Sequence, residues 1–117
     1  MLTGVQPEKE PIDLSPDHLR RLRSLLEHGF VPLALPLFPG YLGMKKYDCA
    51  ALLRPAKQGR LEIAAQPGYL VEGNISVKVE QGGEEWFVWK SHRVAATVER
   101  RDQLRHFEAE LCSLLEA

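Results

Sequence analysis

The sequence predicts an α+β domain, an antiparallel meander sheet of about five strands flanked by an N-terminal and a C-terminal helix. Three observations predict it: leucines at helical spacing near each end, alternating apolar runs between them, and turns marked by glycine or proline. At 117 residues the chain is long enough for one hydrophobic core and short for two. Its 44% hydrophobic and 26% charged residues exclude collagen-like, mucin-like and wholly disordered classes. The division expected is a flexible N-terminal arm over residues 1–12, with Pro7 and Pro11 and no periodicity, and a single domain over residues 13–117.

The first helix has a readable start. Ser15 is a cap, Pro16 suits the first helical position, Asp17 complements the dipole, and Leu14 can staple onto Leu19. Leu19, Leu22, Leu25 and Leu26 form the expected buried stripe, with Arg20, Arg21 and Arg23 in solvent and His28-Gly29 at the end. Over residues 30–43, Pro32, Pro36 and Pro39 remove backbone donors, so an edge strand or a packed loop is expected. The same prolines and the short length of that uncharged run exclude a spanning helix.

Residues 45–53 read as one central strand, with Tyr47, Cys49, Ala51 and Leu53 on one face and Ala50 and Leu52 on the other. A loop over 55–59 leads to a strand over 60–65, and Pro67-Gly68 fits the centre of a type II turn. Residues 69–80 are extended, with Gly73 as a candidate bulge. Gly82-Gly83 then marks a hairpin, because a primed turn needs positive φ. With those glycines at the tip, Val79 opposes Trp86, Val77 opposes Val88 and Lys78 opposes Phe87. Ile75, Val77, Val79, Trp86 and Val88 read as the core face, which leaves Phe87 and Trp89 on the reverse. Residues 94–98 are a last strand or connector. The closing helix carries Leu104, Phe107, Leu111, Leu114 and Leu115; Thr97 or Asp102 could cap it, and its start is expected near Asp102 because Arg100 and Arg101 would oppose the dipole in a first turn.

A net charge of -1 gives no global attraction to nucleic acid or anionic membrane. Cys49 and Cys112 form neither a CxxC pair nor a disulfide framework, and no leader pattern is read at the start, so a reducing cytoplasm is expected. Asn74-Ile75-Ser76 matches a glycosylation sequon and is read as chance. No cofactor is expected, because neither a GxGxxG nor a Walker pattern occurs. His18, His28, His92 and His106 lack metal-ligand spacing, so no metal site is expected.

Cys49 reads as a buried apolar residue; the competing reading is a nucleophile activated by His92. Asp48 and Glu62 could form an acid/base pair if neighbouring strands brought them together.

The functional expectation is an interaction module, homodimeric through the Phe87/Trp89 face, with Phe38 and Tyr41 of the proline-rich segment extending the contact surface. A second expectation makes that surface a pocket for an amphipathic or anionic small ligand, with Lys90, Arg93 and Arg100 as anion-binding candidates. These cations lie in a stretch that also suits single-stranded nucleic acid, but the acidic balance of the rest argues against that partner. A membrane is not an expected partner.

Overall fold

The computed structural model describes residues 14–33 and 40–116; the arm read over residues 1–12 and the aromatic Phe38 lie outside them. Helix α1 spans Pro16–Glu27, followed by β1 (Val31–Leu33), β2 (Leu42–Lys46) and β3 (Cys49–Pro55). A short 3-10 turn at Lys57–Gly59 leads to β4 (Leu61–Ile63), β5 (Gly68–Val71), β6 (Asn74–Ile75), β7 (Val77–Gln81), β8 (Glu84–Trp89), β9 (His92–Ala95) and α2 (Val98–Glu116). The predicted α+β architecture, antiparallel strands between two terminal helices, is observed. The strands form two sheets: β1 to β6 make a six-stranded sheet, and β7-β8-β9 a three-stranded one. No helix among the described residues is long and apolar enough to cross a membrane.

The start of α1 follows the expected chemistry with one substitution of role. Ser15 Oγ accepts from the His18 backbone N–H, and His18 Nδ1 accepts in return from the Ser15 N–H at 3.0 Å. The imidazole thus does the work usually given to glutamate or glutamine. Its Nε2–H reaches Ala56 O at 2.9 Å, which ties the helix to the 3-10 turn and leaves His18 buried rather than solvated. Gly59 completes this junction, since it holds φ +72° and a Cβ there would land on Asp17. The expected leucine stripe is narrower than read: Leu25 is buried and Leu22 packs on the core, but Leu19 and Leu26 are half exposed. With only one stripe of the helix seated on the sheet, their positions face outward.

Residues 45–53 are a hairpin and not one strand. Lys46 pairs with Cys49 across a two-residue turn, Tyr47-Asp48, in which Tyr47 holds φ +59°. Tertiary contacts hold this conformation: Tyr47 OH donates to Glu110 Oε1 at 3.3 Å, and its ring lies 5.8 Å from that of His106. Glu72-Gly73 forms a second such turn, with φ +52° and +75°, so Gly73 closes the β5-β6 hairpin and does not bulge. Gly68 is likewise in a strand and not in a type II turn. It pairs with Ala50, and a Cβ there would strike Ser76 O, so close backbone approach is what requires glycine.

β3 is central, as expected from its apolar faces. It pairs with β2 on one edge and, along the other, with β4 at Leu53–Pro55 and β5 at Cys49-Ala50. Both helices pack on one face of this sheet: Leu25 and Phe30 meet Cys49, Ala51, Leu53, Met44 and Leu61 there, closed by Phe107, Leu111 and Leu115. β1 is the edge strand expected of a proline-bearing segment, with Pro32 opposite Met44.

The three-stranded sheet has the predicted register, Val79 opposite Trp86 and Val77 opposite Val88, with Gly82-Gly83 at the tip. Its inward face is the reverse of the one expected. Phe87 is 1% exposed and forms a second core with Val71 and Ala96, to which Tyr69, Trp89, Val94 and Leu104 contribute. Phe87 stacks on Tyr69 of the larger sheet at 5.0 Å and 15°. Val77, expected in the core, is 67% exposed, and Val79, Trp86 and Val88 are only partly covered.

α2 begins at Val98, well before Asp102. Thr97 caps it, its Oγ1 accepting from the Arg100 N–H at 3.2 Å. The two arginines in the first turn are tolerated because carbonyl oxygens just ahead of the helix accept from their guanidiniums: Arg100 donates to Ala95 O at 2.7 Å and Arg101 to Ala96 O at 3.0 Å. Arg101 also pairs with Glu85.

At the far side of the core, Lys46 Nζ donates to Glu110 Oε2 at 2.6 Å and to His28 O, and lies over the Phe30 ring at 5.2 Å. The hydrogen bond from Lys46 holds the Glu110 carboxyl below its usual range, and the bond to Glu110 raises the Lys46 ammonium. A depressed carboxyl stabilises the fold above its unfolded pKa, and that contribution is lost as pH falls through the folded value. A raised ammonium acts at the other limit, its contribution fading only as pH rises through its folded value. The stability difference between the wild type and Glu110→Gln is therefore expected to be constant through neutral pH and to close below about 4.3, the ordinary glutamate value, in chemical denaturation. A difference that persists unchanged in acid would contradict the pairing.

Candidate functional site

The three-stranded sheet carries most of the residues that the sequence singles out, and its two faces divide them. On the inner face, Phe87 is enclosed between Tyr69 and α2. Trp89 packs at the margin of the same core, its ring stacked on His92 at 5.9 Å and capped by Lys90 Nζ at 4.9 Å. The expectation that these two rings need cover from outside the chain is therefore corrected: β5 and α2 supply it. Burying a phenylalanine contributes roughly 1.5–3 kcal/mol, and this chain gains it internally. Tyr41 is exposed at the start of β2, beside Leu42. Leu42 pairs with Leu53, at the end of β3 away from the Cys49–Tyr69 pair, so Tyr41 does not adjoin Phe87.

The outer face presents two rows across the strands, Val77–Val88–Arg93 and Val79–Trp86–Ala95. Alternation along a strand puts these side chains on one side. Arg93 lies over the Trp86 ring at 4.1 Å, and its Nη1 donates to Gln81 Oε1 at 3.2 Å. An arginine over a tryptophan, bordered by three valines, makes this an apolar platform that carries a cation held by Gln81. None of the described helices packs on it, since both hydrophobic cores form on the other side.

The three anion-binding candidates do not converge. Lys90 sits over Trp89, Arg93 over Trp86, and Arg100 over Tyr69 at 5.7 Å. Each is assigned to its own ring, on the inner margin, the outer face and the helix start respectively. The basic side chains that do meet at a concave surface are Lys78, Arg101 and Arg105. The i, i+4 spacing of Arg101 and Arg105 was visible in the sequence, but pairing them with Lys78 required knowing which way the hairpin turns.

The proposed catalytic alternatives are not assembled. Cys49 lies in the main core, fully buried, and burial pushes its thiol up to about 12. His92 is on β9 against Trp89, in the other sheet. Asp48 occupies the β2-β3 turn, whereas Glu62 pairs with Arg54 at 2.6 Å near the opposite end of β3. Among the described residues no three His, Cys, Asp or Glu side chains are grouped to hold a metal ion.

The two cysteines differ in a way that is simple to read out. Cys112 is exposed on α2 and Cys49 is sealed. A thiol reagent at neutral pH is expected to modify Cys112 promptly and Cys49 only when the fold is melted, as followed by intact mass. Fast labelling of Cys49 in the folded protein would contradict its placement.

Comparison with family models, with curated proteins and with solved structures finds no match, so fold analogy lends no function and the residues described above carry it alone.

Proposed function

We propose that the protein is a small interaction module that self-associates through the outer face of its three-stranded sheet. The observation that carries this reading is the pair of apolar rows centred on Trp86, with Val77 67% exposed at their edge. Three antiparallel strands with one face on the core and valines and tryptophan on the other resemble half of a sandwich. Tryptophan and arginine are also the residue types that dominate binding energy at protein interfaces.

A second copy would bury Val77, Val79, Trp86 and Val88 against the same residues of its partner across a twofold axis. Within each copy the Arg93 guanidinium crosses Trp86 to Gln81, in the row that also holds Glu84, so the platform carries its cation and its carboxylate at the same end. Self-association was expected from the sequence; the surface that serves it is the opposite side of the hairpin from Phe87 and Trp89.

Val77→Glu tests this reading with little risk to the fold, because the side chain is mostly in solvent. Sedimentation is expected to show a dimer for the wild type and a dissociation constant raised roughly tenfold or more for the variant, the cost of an unpaired charge at a buried contact. The thermal midpoint of the isolated protomer should be unchanged. A wild type that stays monomeric at all attainable concentrations, or a variant that dimerises equally well, would overturn it.

A further inference from the structure

On the other side of the three-stranded sheet, a cleft of about 360 Å³ runs between its first strands, the start of β5 and the N-terminal half of α2. Leu104, Pro67 and Val77 line it with apolar surface, with the buried Phe87 behind them. Its volume is within the range of small-molecule sites. Around the rim stand Lys78, Arg101 and Arg105 against one acidic lining residue, Glu108.

The three rim cations are matched in number by Glu85, Asp102 and Glu108, so what favours an anion is how the cations share them. Lys78 Nζ and Arg101 Nη1 share a single carboxylate, Glu85, at 3.2 and 3.1 Å. Arg101 is anchored a second time through Nε to Ala96 O. A guanidinium so fixed is preorganised for an incoming oxygen pair. Arg105 is held only by Asp102 at 3.1 Å, in an exposed i, i+3 pair of the kind that contributes little, so it is free to re-aim toward the cleft.

We infer that this cleft binds a small amphipathic anion, its apolar part against Leu104, Pro67 and Val77 and its carboxylate or phosphate head between Arg101 and Lys78. Glu85 is the internal competitor for the same two cations. The cleft meets the outer face at Val77, which lines it, whereas Arg101 and Glu85 lie off that face, so substitutions at those two residues test the cleft separately from self-association.

The test is an amide-resonance titration of the ¹⁵N-labelled full chain with benzoate, phenyl phosphate and neutral benzamide. Both anions are expected to give saturable shifts at Gly68, Lys78, Arg101 and Leu104, and benzamide to bind roughly tenfold more weakly or worse, as loss of a charge-assisted hydrogen bond requires. The tighter anion names the head group. Arg101→Gln should weaken that anion about tenfold, Glu85→Gln should tighten it by freeing both cations, and Arg20→Gln, on the surface of α1, should leave it unchanged. The same spectra report folding, and if Arg101→Gln does not fold, Arg105→Gln and Glu85→Gln carry the comparison. Shifts that never saturate, that scatter over the surface or that benzamide matches would overturn the inference. So would weaker binding to a folded Glu85→Gln.

Discussion

The stack of Phe87 on Tyr69 orients the whole second half of the molecule. Tyr69 belongs to the face of the six-stranded sheet that both helices cover, because its strand partner Cys49 lies in the main core. Phe87 belongs to β8. Joining the two rings turns the three-stranded sheet so that Phe87, Val94 and Trp89 point inward, and Leu104 of α2 closes the contact from the third side. The outward exposure of Val77 and Trp86, the position of Lys78 beside Arg101, and the cleft between them all follow from that orientation. If the sheet were turned over, every one of these features would change sides, since adjacent strand residues alternate.

Much of the architecture was legible in the sequence because it rests on local chemistry. Ser15-Pro16-Asp17 specifies a helix start, Gly82-Gly83 specifies a hairpin and its register, and Pro32 confines its strand to an edge. The turns at Tyr47-Asp48 and Glu72-Gly73 were hidden for the opposite reason. Tyrosine and glutamate are poor markers of positive φ, and at Tyr47 the conformation is held by Glu110 and His106, which are distant in sequence. Periodicity read straight through both.

The candidate surfaces were half legible. Alternation correctly separated Val77, Val79, Trp86 and Val88 from Phe87 and Trp89, but both sets are apolar, so burial could not be decided from either one. The decision lies in contacts with Tyr69 and Leu104, which a single-sheet meander does not contain. The same omission grouped cations that the fold keeps apart. Lys90, Arg93 and Arg100 are near one another in the chain, yet each rests on a different aromatic ring, while Lys78 and Arg101 meet through Glu85 only because β7 and α2 flank the same core. Helix α2 shows the complementary point. Its first-turn arginines oppose the dipole on a bare helix, but here they return to the carbonyls of Ala95 and Ala96 and bind β9 to the helix that follows it.

The most direct measurement of this orientation is a double-mutant cycle on Tyr69→Leu and Phe87→Leu, with stabilities from chemical denaturation. The stack predicts a coupling of about 0.5–1.5 kcal/mol between the two substitutions, since either one alone removes the ring contact. Effects that simply add, to within about 0.3–0.5 kcal/mol, would mean that the rings do not meet and that the sheet faces the other way.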